Sequence, residues 1–423
     1  MTSRGENDTG EVAGSAQRSS DDTGARLGAG LLAYMLAVTL IITLLPFQFD
    51  WPTRWRVMFT GGVVDIVANV LLFFPLGFLL QLARREGHRH SALAVLWLGA
   101  LTSMAIESAQ LFERERYASV LDVSTNAAGA WLGAWAFARL TARTRMDGAF
   151  VGRLSLELPL MGLVYLLVPL LWLNALASGG TLERGVLAVL LGVFGASLLG
   201  GIQRHHFGPN RGFAARGTAA GAVAWFLAGS FPALPVRPAV VALASALVGG
   251  LAWLQGSRSR GVTAANRRYE VPLLLSAAPA FATYLLLLTA APLLEGIAGW
   301  RVGVGFPGVA STWTKLQILR LLELVAAHTL LGYMVAEFRG RLLTRYWSAL
   351  PRLAAWGTLA ALLGEGVRGF HGGHGASLAR GLVLLAALLY GGWLYYLQRA
   401  HVLRLIEEET HRRATPDEFP SAA

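Results

Sequence analysis

Three pairs of polar residues interrupt an otherwise apolar stretch between Asp65 and Gly133. Asp65 and Asn69 are four apart, Glu107 and Gln110 three apart, and Asp122 and Asn126 four apart. On a helix each pair shares one face, so each apolar segment carries one polar stripe. The sequence FERERYAS between the last two pairs adds Glu113, Arg114, Glu115, Arg116, Tyr117 and Ser119. Carboxylates, amides and guanidinium groups together suit the binding of a polar head group, and Arg114 or Arg116 suits pairing with Glu107. Glu107, Asp122 and Arg116 could also supply acid–base chemistry. No nucleophile or metal set accompanies them. The reading therefore leans away from an enzyme and assigns no catalytic residue and no cofactor.

The elements that carry these groups are membrane helices by composition. Hydrophobic residues make up 54% of the 423 and charged residues 14%, where soluble domains carry about a quarter. Runs of about 20 residues, long enough to span, fall near 28–49, 62–82, 91–111, 121–140, 155–177, 185–202, 214–231, 238–255, 271–291, 315–337, 347–364 and 377–397. The sixth, seventh and eleventh are the weakest, being short or rich in Gly and Ala. The expected fold is all-α, a polytopic bundle of about twelve transmembrane helices.

Basic residues fix its orientation. Arg84, Arg85 and Arg89, then Arg139, Arg143 and Arg145, then Arg204 and Arg211 crowd alternate loops. Arg258, Arg260, Arg267 and Arg268, then Arg339, Arg341 and Arg345, continue the alternation. By the positive-inside rule those loops and both termini are cytoplasmic. The net charge of +11 thus reports orientation and contact with anionic membrane lipid, and the dispersed Arg residues form no nucleic-acid stripe. Residues 1–26 and 401–423 read as cytoplasmic tails, disordered over 1–26 and 407–423. With no cysteine, disulfides and thiolate chemistry are excluded. HGGH (371–374) lacks a third metal ligand, and GVGFPG (303–308) follows no strand of a βαβ unit.

Orientation brings the three stripes to one depth. The second helix enters from outside, the third ends outside and the fourth re-enters, so all three pairs lie toward the outer face. A carboxylate at the centre of a membrane helix costs about 2.5–3.5 kcal/mol unless paired or solvated. Three of them should face protein or water and could converge on an outward-facing pocket. Asp122 is also placed to cap the fourth helix. Gly77, Gly129 and Gly133 are read as packing residues. Asn, Gln and carboxylates can equally serve as glue between helices, so the polar set stands between a site and a structural role.

The ordered set DxxxN, FPLG, ExxQ, a basic turn and SxxDxxxNxxGxxxG resembles the VanZ-like family, over about residues 28–141. That family is named for a membrane protein linked to resistance against the glycopeptide teicoplanin. The resemblance implies a multi-pass protein of the bacterial cell envelope and inner membrane. It places the family's polar motif on Asp65, Asn69, Glu107, Gln110, Arg116, Asp122 and Asn126, with Arg114 competing for the basic position. Residues 142–313 are further membrane helices. Residues 314–400 read as an eroded parallel repeat, laid without a gap 258 positions on: ELVA (323–326) over DIVA and Glu365 over Glu107. In that frame Asn69 becomes Ala327, Arg116 becomes His374, Asp122 becomes Arg380 and Asn126 becomes Leu384. Glu365 is expected to matter little.

The function read from these residues is binding of a lipid-linked or cell-wall-related head group at the outer-face pocket, the partner being an envelope precursor or a glycopeptide. A twelve-helix transporter and a non-catalytic scaffold remain the alternatives. Ligand residues are Asp65, Asn69, Glu107, Gln110, Arg114, Arg116, Asp122 and Asn126; no metal is expected, and oligomeric state is left unassigned. A reporter active only in the cytoplasm should give signal when fused after Arg89 and none when fused after Arg116. Signal from both fusions would break the twelve-span topology from its fourth helix onward.

Overall fold

The computed structural model describes residues 6–414 apart from 53–54, 56, 85–87, 115, 147, 178–181, 208–211, 258–269, 292, 294–295, 307–313, 341–344 and 373–374. Several sequence expectations fall outside the described residues: Glu115, His374, the tail at 415–423, the end of GVGFPG, and the loop residues Arg85, Arg211, Arg258, Arg260, Arg267, Arg268 and Arg341.

Twelve helices account for the described chain. They are α1 (Glu6–Leu44), α2 (Val63–Leu82), α3 (Ala92–Gln110), α4 (Val120–Met146), α5 (Gly148–Leu176) and α6 (Leu182–Phe207), followed by α7 (Gly212–Gly229), α8 (Pro238–Ser257), α9 (Glu270–Ala290), α10 (Lys315–Gly340), α11 (Tyr346–Arg368) and α12 (Leu378–Ala414). Most starts and ends lie within a few residues of the apolar runs, because those runs are what a lipid-facing helix requires. The tails differ from expectation. α1 already begins at Glu6 and α12 continues to Ala414, so polar sequence at both ends prolongs a helix nucleated by the apolar run beside it. Adding a residue to an existing helix costs far less than starting one.

Among the described residues, eight helices are long and apolar enough to cross a membrane: Gly24–Leu44, Val63–Leu82, Ala92–Gln110, Glu183–Arg204, Pro238–Ser257, Glu270–Ala290, Lys315–Phe338 and Leu378–Arg404. The sixth helix, expected to be weak, is among them. α4, α7 and α11 are not, for local reasons, and the described side chains of α5 form a shorter apolar helix, Leu160–Leu176. α4 opens with Asp122, Ser124, Thr125 and Asn126. α7 has 18 residues including Arg216, and α11 carries Arg352, Glu365 and Arg368.

The chain forms two compact units, one comprising 1–40, 51–159 and 397–423, the other 41–50 and 160–396. In the first, α2 lies along α4 with backbones in contact. Gly77 meets the Ala130 backbone, and Gly133 meets Phe74 and Phe78. A methyl group at Gly129 would sit 2.6 Å from the Val70 carbonyl oxygen. Small residues are what let membrane helices approach this closely. α3 starts on a Ser91 cap, whose Oγ accepts the Ala94 N–H at 3.1 Å, and it packs on α4 where Gly99 faces Ala130. A two-residue strand β1 (Val57–Met58) runs parallel to β2 (Ala118–Ser119), tying the lead-in of α2 to the start of α4.

The second unit contains a matching arrangement. β3 (Val302–Gly303) pairs in parallel with β4 (Ala376–Ser377), immediately before α12. Gly332 of α10 meets the Leu388 backbone, and Gly391 of α12 meets Thr329 and Tyr333. Ala130 and Gly133 therefore correspond to Leu388 and Gly391, 258 positions on, whereas Phe74, Gly77 and Phe78 correspond to Thr329, Gly332 and Tyr333, only 255 on. The gapless frame is overturned for the first helix of the trio. Asp65 matches Arg320 and Asn69 matches Leu324; ELVA does not match DIVA. Backbone contact at glycine sets the register, and a shared acid in an apolar string does not.

Gly133→Ala is expected to lower the melting midpoint in detergent, by about 1–3 kcal/mol of overpacking. Gly221→Ala, in a helix position with nothing within 4 Å, should leave it unchanged or raise it. Equal effects at the two positions would refute backbone contact between α2 and α4.

Candidate functional site

The joint between α3 and α4 gathers most of the polar motif. Glu107 lies one turn before the end of α3 and is 6% exposed. Its Oε2 accepts the Ser119 N–H at 2.7 Å. Ser119 Oγ in turn accepts the Asp122 N–H at 3.2 Å and so caps α4. A Ser three residues before an acid usually makes a reciprocal pair, the acid accepting the N–H of the capping residue. Here Glu107, from the previous helix, has taken that N–H. The expectation that Asp122 caps α4 is corrected on this point: Ser119 is the cap. The Asp122 carboxylate, half-buried, makes no hydrogen bond to a described residue.

Glu107 and Asp122 are close enough to repel each other electrostatically, and Arg116 attracts Glu107 in the same way. Among the described residues, Glu107 forms no ion pair; neither Arg116 nor Arg114 makes the direct pairing that their nearness in sequence suggested. Arg116 is half-buried, Arg114 exposed, and Gln110 buried. Gln110, Glu113 and Arg114 each have contacts of their own. Asn126 lies one turn deeper, where its Nδ2 donates to Ser103 Oγ at 2.8 Å and its Oδ1 is buried without a partner. Ser103 was missed in the sequence, because a serine in an apolar run is not distinctive until its partner is known.

Asp65 and Asn69 stand apart from this group. Asp65 is exposed and its Oδ2 accepts the Gly62 N–H at 3.1 Å, in the first turn of its own helix. A carboxylate there meets unpaired amides and the positive helix end. Asn69 is half-buried on the next turn. No hydrogen bond or ion pair among the described residues joins either to Glu107. Beside the joint, Trp51 and Trp55 pack on Phe112, with ring centroids 5.7 and 6.0 Å apart, and remain 77% and 61% exposed. Exposed tryptophans suit the head-group level of a bilayer. Among the described residues no group of three His, Asp or Glu could hold a metal.

The second unit repeats the joint with its charges changed. Glu365 Oε2 accepts the Ser377 N–H at 2.7 Å, and Ser377 Oγ accepts the Arg380 N–H at 3.1 Å. Arg380 stands where the first unit has Asp122, and it grips Glu365 with both ends of its guanidinium. Nε donates to Oε1 and Nη2 to Oε2, each at 2.7 Å, and Nη2 also donates to the Gly375 carbonyl at 2.9 Å. Arg368, in place of Gln110, sits 3.6 Å from Glu365 Oε1. Glu365 is therefore not a residue of little consequence, as its eroded surroundings suggested. Removing its charge leaves two largely buried guanidinium groups without a counter-ion. Glu365→Gln is expected to cost about 3 kcal/mol, the lower end for a broken buried pair, read as a lowered melting midpoint. Adding Arg380→Gln should restore part of the loss; an additive double mutant would show that the two are uncoupled.

No curated protein and no solved structure matches the chain. Residues 15–142 match the model of the VanZ/LLP1 family, so the segment that carries the α3–α4 joint and its carboxylates is VanZ-like.

Proposed function

We propose that this chain is a multi-pass protein of the bacterial cytoplasmic membrane whose outward-facing α3–α4 joint binds the cationic group of a lipid-linked or cell-wall-related head group. One observation carries the reading. In two joints with the same backbone hydrogen bonds, one carboxylate is clasped by Arg380, while the other is close to a second carboxylate and has no ion pair with a described residue. The guanidinium of Arg380 marks the kind of group that fits beside Glu107, an amine or guanidine. Glu107 and Asp122 hold it, Arg116 limits the negative charge, and Gln110 and Asn126 supply neutral polar contacts. Membrane lipid surrounds the spans, and Trp51 and Trp55 fix the joint at the head-group level.

Twelve helices with both termini inside fit the basic loops and the antiparallel course of the chain. The VanZ-like segment supports a place in the cell envelope and a role in glycopeptide tolerance or envelope polysaccharide assembly. A transporter is the weaker reading, since Glu107 and Asp122 lie at helix ends and transporter sites usually lie at the midplane.

Glu107→Gln keeps an oxygen to accept the Ser119 N–H and removes only charge. It should abolish function at unchanged membrane abundance, and Asp122→Asn should do the same. Asp122→Arg builds the clasp of the second unit into the first; it should also abolish function without lowering the melting midpoint. Glycopeptide susceptibility and envelope-stress induction, read beside protein level, measure the effect. Full function of Glu107→Gln and Asp122→Arg at normal abundance would reduce the carboxylates to glue between helices.

A further inference from the structure

The second unit contains a buried polar centre that the α3–α4 joint does not explain. Glu323 of α10 is fully buried, and three side chains satisfy it. Asn174 Nδ2 donates at 3.1 Å, Tyr284 OH at 3.0 Å, and Arg184 forms a close ion pair through Nη1. Arg184 is 6% exposed and Asn174 2%. Its carboxylate is engaged from three sides, and Arg184 is the guanidinium it pairs with directly.

A cavity of about 30 Å³ opens beside this cluster, at the end of α5, the first turn of α6, the end of α7 and the start of α8. Asn174, Arg184, Ser230 and Arg237 bring polar groups to its wall, and the rest is apolar, including Phe226 and Val241. Ser230 is 3% exposed and its hydroxyl has no hydrogen-bond partner among the described residues. Arg237 is half-buried, and its side chain makes no hydrogen bond or ion pair with a described residue. Two guanidinium groups and one carboxylate leave one positive charge uncompensated at the wall. The positive ends of α6 and α8 add to it.

We propose that this cavity binds a small inorganic anion of halide size. The donors are the Ser230 hydroxyl, the Arg237 guanidinium and the N–H groups of Arg184 that do not face Glu323. The anion supplies the missing charge and the missing hydrogen-bond acceptor together. Size limits the occupant: the space suits about two waters, hence a monatomic anion, and is too small for a phosphate or a lipid head group. Glu323 is a positioning residue here, holding Arg184 and Asn174 at the wall.

The test uses the full chain in detergent, with sodium gluconate replaced by chloride or bromide at constant ionic strength. Both halides should raise the melting midpoint saturably, by about 2–4 °C, and bromide should reverse the chloride NMR line broadening that the protein causes. Ser230→Ala, a small change expected to fold normally, and Arg237→Gln should each weaken half-saturation about tenfold. Equal midpoints in gluconate and halide would show that the cavity holds water only and overturn the proposal. So would a rise that both variants retain unchanged, which is a general salt effect, or a response to phosphate with none to halide.

Discussion

One hydrogen bond organises each joint: a glutamate near the end of one helix accepts the N–H of the serine that caps the next. The N–H of a capping residue has no partner inside its own helix. Left buried and unpaired it would cost about 1–3 kcal/mol. Glu107 removes that cost for Ser119, and Glu365 for Ser377. The bond also fixes the chain's path. Ser119 and Ser377 end strands β2 and β4, which pair with β1 and β3, so the glutamate holds a strand, a cap and two helices in one place.

Backbone contact between helices makes this placement possible. α2 and α4 touch at Gly77, Gly129 and Gly133, and α10 and α12 touch at Gly332 and Gly391. At such contacts a side chain larger than hydrogen forces the helices apart, and the joint above them would open. The polar groups at the top and the glycines below belong to one device. The glycines set the distance, and the glutamate sets the register at the end.

Helix positions were legible in the sequence because apolar runs and their basic flanks follow directly from the bilayer. The trio formed by Glu107, Ser119 and Asp122 was legible in membership but not in wiring. In sequence Asp122 reads as the cap of α4, and only the tertiary approach of α3 shows that Ser119 caps the helix while Glu107 accepts the Ser119 N–H. Glu323 misled for a related reason. It lies in ELVA, which resembles DIVA around Asp65, yet it is buried among Arg184, Asn174 and Tyr284 while Asp65 is exposed at its helix start. Arg184 and Glu323 lie 139 positions apart, a pairing that no local pattern announces.

The contrast between the two joints bears on why Glu107 and Asp122 persist side by side. A joint of this geometry can be closed from within, as Arg380 shows: one arginine meets both oxygens of the glutamate and a loop carbonyl at once. Neutralisation was thus available to the same backbone. In the first unit the corresponding position carries a second acid, close enough to repel Glu107. The proposed binding of a cation at the first joint rests on that difference, since a positive group beside Glu107 and Asp122 would relieve the repulsion between them.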